Sequence, residues 1–512
     1  MDCVKFIKTS SKSIRKSTKQ MKLLIALIIF LLFESSCLSA TESGDEDFDG
    51  VLSYEKLIQW GFDENSVEID LFFRGIKSLE TEIFLEFKRL KVLDLSFNSI
   101  EEVRVNDFKG LSELYSLDLS YNSIGTIEDY SFAHLLNLKF LYMGSNMIEM
   151  NEKTFSGLSS LSHLDIYYNL LEFVEENTFV ELTNLVTLDL FANNIDKISY
   201  ETFKGLKELK YLDISYNAVT DVHDDTFNET RKLEFLNLSG NRIRNVNLKT
   251  FKDLSKLALL DLWGNSISEI KEPVFRDLIN LQELYLDNNL LEEIGNHVFK
   301  NLSQVTRLGL YSNTIKYIEE MAFSDLKNLK NLNLQSNMIE QLDRRMFKGL
   351  ENLRILDISH NLVNYIDDYA FADLKSLEIL DLSFNKMNAA EPNFFSNLNN
   401  LKIFSFASNV LSIVHSGTFR DIPKLELLDL SSNKISFIEK NEFKNMISLV
   451  ELNLKSNQLK HLDFNIVQGC SNLAFLCLYG NLFSENTLAL NFTGLNKLHQ
   501  NIIWNSTFCD DE

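Results

Sequence analysis

Two consecutive stretches decide how this chain folds: LKVLDLSFNSIEEVRVNDFKGLSE at residues 90–113 and LYSLDLSYNSIGTIEDYSFAHLLN at residues 114–137. In the first, Leu90, Leu93 and Leu95 alternate with exposed residue types as a short strand does, and Asn98 then interrupts the apolar series. The second repeats the layout, with Asn122 in the same place. Written as L-x-x-L-x-L-x-x-N-x-I with Phe ten positions after the Asn, the pattern occurs 17 times between Asn98 and Asn481, at steps of 24 residues except one of 23 from Asn146 to Asn169. The phenylalanines keep register from Phe108 to Phe443, and Val467 breaks their series. A degenerate copy comes first, with Ile69, Leu71, Ile76 and Phe84 in register and Arg74 in the Asn position. Such relaxation is expected of an end copy that has a neighbour on one side only.

Each L-x-L reads as a strand whose leucines point inward, and each repeat lays a parallel strand beside the last. After the strand the backbone turns while still facing the interior, so its polar groups lack ladder partners. A buried Asn supplies two donors and an acceptor, expected to serve its own turn and the next. The Phe supplies volume on the wider convex side.

This period and motif resemble the extracellular typical-type leucine-rich repeat family, found in Toll-type receptor ectodomains, insect adhesion proteins, the acid-labile carrier subunit and mosquito leucine-rich immune proteins. The resemblance covers residues 66 to about 490. It implies an α/β repeat solenoid, a right-handed horseshoe with a parallel sheet on the concave face and a mostly irregular convex side. With strands ~4.8 Å apart, the lining runs roughly 80 Å, enough for a protein ligand. The chain departs from many relatives in lacking cysteine-rich caps, since no cysteine lies between Ala40 and Gly469.

The remaining sequence divides around this body. Residues 1–40 read as a signal peptide: a basic segment, the apolar run LLIALIIFLLF and small residues before a cut between about Cys37 and Ala40, with an alternative start at Met21. Residues 41–65 read as an acidic leader, disordered over 41–50, and a cap helix with Ser53 as N-cap and Gly61 as C-cap. The degenerate repeat takes 66–89, the solenoid 90–490 and a C-terminal cap 491–512, with a last apolar strand around 502–504. No later segment reaches membrane-spanning length, and no Toll-type signalling domain is present, so the expected product is secreted and extracellular.

Cleavage leaves 43 basic and 71 acidic residues, a net charge of −28. Nucleic acid and anionic lipid are therefore poor partners. No GxSxG, HExxH or P-loop occurs, and the eight histidines lack metal-ligand spacing. We expect no enzyme, cofactor or metal. An aspartate row between the strand leucines (Asp94, Asp118, Asp165, Asp189, Asp213, Asp261, Asp357, Asp381 and Asp429) should be a solvated concave face. Glycosylation sequons stand at Asn228, Asn237, Asn301, Asn491 and Asn505. Asn237 falls on a strand, where a glycan would obstruct the concave face. Cys470, Cys477 and Cys509 are an odd set in an oxidising compartment. Cys509 is expected to bond one of the other two, with the remaining thiol available for a disulfide-linked dimer or else buried.

The candidate ligand-binding residues are the large side chains at exposed strand positions of copies three to ten: Phe140, Tyr142, His163, Tyr167, Phe191, Tyr211, Phe235, Trp263, Tyr285, Arg307 and Tyr311. Tyr, Trp and Arg dominate binding hot spots, although rings on adjacent strands also stabilise a sheet by stacking. Ile355, Ile379, Ile403 and Leu427 form a rival aliphatic stripe. The expected role is recognition of an extracellular protein or microbial-surface ligand in innate immunity or extracellular signalling. The alternative is a matrix or cell-adhesion component, or a carrier for a growth factor.

Overall fold

The structure, a computed structural model, describes residues 48–483 apart from 272, 445 and 468. The expected signal peptide, the expected leader up to residue 47, the expected C-terminal cap, the sequons at Asn491 and Asn505, and Cys509 lie outside the described residues.

Every repeat folds into one coil, numbered here 0 for the degenerate copy and 1–17 from Asn98 to Asn481. The coils place 18 three-residue strands side by side, from Glu68–Asp70 to Phe475–Cys477. Pairing is parallel and in strict register, Leu188 beside Leu212 beside Leu236. The sheet is open, since Glu68–Asp70 pairs with Val92–Asp94 at one end and Phe475–Cys477 with Glu451–Asn453 at the other. Opposite it the turns are irregular, relieved by two-residue pairs such as Glu102–Val103 with Thr126–Ile127. Among the described residues the α-helix is Tyr54–Gln59 alone. One apolar core runs from Leu52 to Leu478.

The asparagines hold the inner turn. Asn98 Nδ2 donates to the carbonyls of Leu95 in its own coil and Leu71 in the preceding coil, both at 2.9 Å. Its Oδ1 accepts from the N–H groups of Arg74 and Ile76 at 3.0 Å. Asn217 repeats this with Ile214, Leu190 and Ile195, and Asn481 with Leu478, Leu454 and Leu459. The expected partner coil is corrected: the amide reaches back to the coil before it, not forward to the next.

The residue ahead of each asparagine is left-handed, with φ of 56° at Phe97, 55° at Tyr121 and 55° at Tyr216. Its N–H thereby reaches the next coil, as Phe97 does to the Ser120 carbonyl at 3.0 Å. On the far side of the core the phenylalanines form a buried spine. Phe203, Phe227, Phe251 and Phe275 stack in sequence at 5.9, 6.4 and 5.9 Å between ring centres.

Coil 0 is closed by the leader. Ser53 Oγ accepts from the Lys56 N–H at 3.2 Å to start the helix, and Gly61 at φ 93° lets the chain leave it. Val51–Leu52 pairs with Ser78–Leu79, and Phe48 packs edge-on against Trp60 at 5.3 Å. Residues 48–50 are thus built into the cap rather than disordered as expected, because Phe48 and the Gly50 carbonyl, which accepts from Lys77, have partners there. Arg74, standing where other coils have Asn, lies over the Trp60 ring at 5.2 Å. No helix among the described residues is long and apolar enough to cross a membrane.

Candidate functional site

Strand alternation buries the leucines and turns three positions of each coil toward the concave side. All eleven candidate residues lie there. Ten are half-buried and Arg307 is exposed.

The rings are not isolated. Phe140 stacks on His163 at 4.5 Å and lies 6.4 Å from Tyr142. Tyr211 and Phe235 stack at 4.2 Å, almost parallel at 6°. Tyr167, Phe191 and Trp263 join a longer chain of contacts through residues that the sequence reading passed over. It runs Phe72–Phe97–Tyr121–Tyr167 at 5.0, 4.2 and 6.2 Å, then Tyr167–Tyr168–Phe191 at 5.9 and 5.3 Å, then Phe191–Tyr216–Trp263 at 5.5 and 6.4 Å.

Phe97, Tyr121, Tyr168 and Tyr216 all occupy the left-handed position before the asparagine. That fixed place in the repeat was the available signal. Gly144 shows why coil 3 leaves room, since a Cβ there would collide with the Tyr167 ring. Beyond Trp263, the Tyr285 hydroxyl bonds Glu283, which also faces Arg307 at 3.6 Å.

The aspartate row is a correction. These carboxylates are not simply solvated: Oδ1 of each accepts from the N–H two residues on, at 2.8 Å for Asp94, 2.9 Å for Asp189 and Asp261, and 2.8 Å for Asp429. They cap the strand's exit. Burial raises the Asp118 carboxyl above its ordinary range. Burial and neighbouring Asp357 push Asp381 up to about 6. Burial also raises the Tyr167 phenol, with Tyr121 adding to it, and raises Tyr211, with Asp213 adding. These hydroxyls remain donors at neutral pH. The face therefore offers aromatic surface, phenolic donors and carboxylates behind them.

Asn237 is buried, its Nδ2 donating to Asp213 at 2.9 Å and its Oδ1 accepting from Ser239. A glycan on Nδ2 would have to displace the bond to Asp213. Asn228 and Asn301 are exposed on the convex side. The rival residues Ile355, Ile379, Ile403 and Leu427 are half-buried and stand in register on adjacent strands. Cys477, expected at an exposed position, is buried and disulfide-bonded to a partner outside the described residues. Cys470 is a free, buried thiol donating to the Phe443 carbonyl at 3.0 Å. A link to a second chain through it would require coil 16 to open.

Comparison with known proteins agrees with this geometry. The family model described as leucine rich repeat matches at residues 88–148, 149–195, 183–243, 239–291, 279–339, 327–387, 379–435 and 423–483. No curated protein matches the chain. Among solved structures, Toll in the Drosophila Toll–Spätzle complex superposes with a TM-score of 0.70 at 21% identity, covering 84% of this chain and 60% of Toll's. A leucine-rich repeat protein of Leptospira interrogans gives 0.55 at 24% identity, covering 89% of this chain and 100% of its own. The plant peptide hormone receptor RGFR1 in complex with RGF2 gives 0.53 at 20%, covering 82% and 79%. At these identities the likeness is one of fold.

Proposed function

Since this chain belongs to the leucine-rich repeat family, whose solenoid serves as a scaffold for protein interaction, we propose that it is a secreted recognition protein of innate immunity or extracellular signalling. Its ligand, an extracellular protein or microbial-surface molecule, lies on the concave face of coils 3–10, centred on Tyr167, Phe191, Trp263 and Tyr285. The chain does no chemistry in this reading. The observation that carries it is the continuous ring contact from Phe72 to Trp263 across a half-open face. Stacking alone accounts for isolated pairs, whereas an aromatic surface spanning many coils costs solubility unless a partner covers it. That Toll and RGFR1 are seen with Spätzle and RGF2 supports a protein ligand.

The test is to capture the ligand from extracellular fluid, replace Trp263 and Tyr285 together by alanine, confirm unchanged melting and measure affinity. A loss of about 2 kcal/mol or more is expected of a hot spot. A loss below about 1 kcal/mol moves the site elsewhere.

A further inference from the structure

In a chain of net charge −23, one edge of the sheet gathers cations. Where coils 11–15 enter their strands, a groove of about 500 Å3 is lined by Lys330, Arg354, Lys402 and Lys424, with Glu378 as its carboxylate. Lys402 Nζ reaches Glu378 at 2.9 Å and Arg354 Nε at 3.8 Å, so one carboxylate is shared between two of the four cations. The ion pair with Lys402 holds the Glu378 carboxyl below its ordinary value, so it stays charged. Lys424 donates to Asn400 Oδ1 at 2.8 Å, and Lys330 makes no ion pair with any described residue. Both are exposed. The rest of the lining is amide and hydroxyl, without an apolar side chain. Asn352 and Asn400 are fixed by donating to the Lys327 and Lys375 carbonyls at 2.9 Å.

We propose that this groove is a second site, separate from the aromatic face, and that it binds a sulfated polysaccharide. The coil repeat sets the cations at multiples of ~4.8 Å along a strip of roughly 20 Å, which suits an extended chain bearing recurrent anions. Arg and Lys are the side chains for such anions, the guanidinium by its fork and the ammonium as a point charge. Fixed amides and a serine hydroxyl match sugar hydroxyls. A protein partner would need buried aromatic or aliphatic anchors, and a single-stranded nucleic acid would need rings on which bases stack. The groove has neither. Its location does not depend on the concave-face reading, and its test can succeed or fail independently of that one.

The experiment titrates the full chain with size-defined heparin fragments at low and physiological salt. Binding that weakens as salt rises is expected. The variant Lys330→Gln/Lys424→Gln should keep its melting temperature and lose about tenfold or more in affinity, the loss of charge-assisted hydrogen bonds. Lys207→Gln/Lys252→Gln, outside the groove, should bind as the unaltered chain does. Desulfated heparin should not bind. The proposal is overturned if heparin fails to bind at low salt, if the groove variant binds unchanged, if desulfation has no effect, or if poly-aspartate or single-stranded RNA binds more tightly.

Discussion

An asparagine that commits both amide atoms to two coils cannot be replaced by a residue of similar size without stranding what it bonded. Asn217→Leu would leave the Ile195 N–H without a partner, and the Leu190 and Ile214 carbonyls would keep only the amides of Asn193 and Asn241. At ~1–3 kcal/mol for the stranded N–H, a loss of at least about 1 kcal/mol is expected in urea denaturation. The residue ahead of the asparagine carries a different constraint. Across coils 1–17 it is Phe, Tyr, His, Ser, Asn, Ala or Gly and never β-branched, as a left-handed backbone requires. Tyr216→Val should therefore cost about 1–2 kcal/mol more than Tyr216→Ala in the same assay, a difference that loss of ring contact does not explain.

Asp381 gives a pH signature. Its folded pKa, about 6, lies above that of an unfolded aspartate. The folded state thus holds the extra proton between roughly pH 4 and 6, and stability from this group falls as pH rises through that window. Thermal melts should show wild type gaining stability relative to Asp381→Asn on going from pH 7 to pH 5. The asparagine's need for buried partners was legible from its fixed offset behind the strand. The direction of its bonds was not, because a linear pattern is the same whether the amide reaches forward or back.

Within a coil, the strand, the turn and the spine are read from one period, and for that reason element order was plain in the sequence. What crosses between coils was less so. The Phe series predicts a filled convex side, but stacking at 5.9–6.4 Å depends on the coil spacing. Phe227→Ala, removing a ring packed against both neighbours, should cost about 3–5 kcal/mol. The aspartates read as solvent-facing because they alternate with leucines, yet the short side chain turns along the strand to its own exit. The aromatic chain was half visible: positions on the strand were flagged, whereas Phe97, Tyr121, Tyr168 and Tyr216 leave from a left-handed residue whose side-chain direction no strand periodicity describes.

At the scale of the molecule, the solenoid is one core with two different faces along its length: aromatic and acidic over the first half of the sheet, basic at the edge of coils 11–15. Among the described residues the free thiol, Cys470, is buried. Burial pushes Cys470 up to about 11, so little thiolate forms at neutral pH and the native protein should resist alkylation there until denaturant opens the last coils. Rapid labelling of native Cys470, followed by mass spectrometry, would show that this end is open and would restore it as a site for linkage to a second chain. Ligand is expected to occupy the aromatic concave face. The most direct measurement is cross-linking mass spectrometry of the chain with its captured ligand. Cross-links from the ligand to lysines and carboxylates bordering coils 3–10, such as Lys139, Lys210 and Glu283, are expected. Cross-links confined to the convex turns, or to coils 12–15 alone, would contradict that placement.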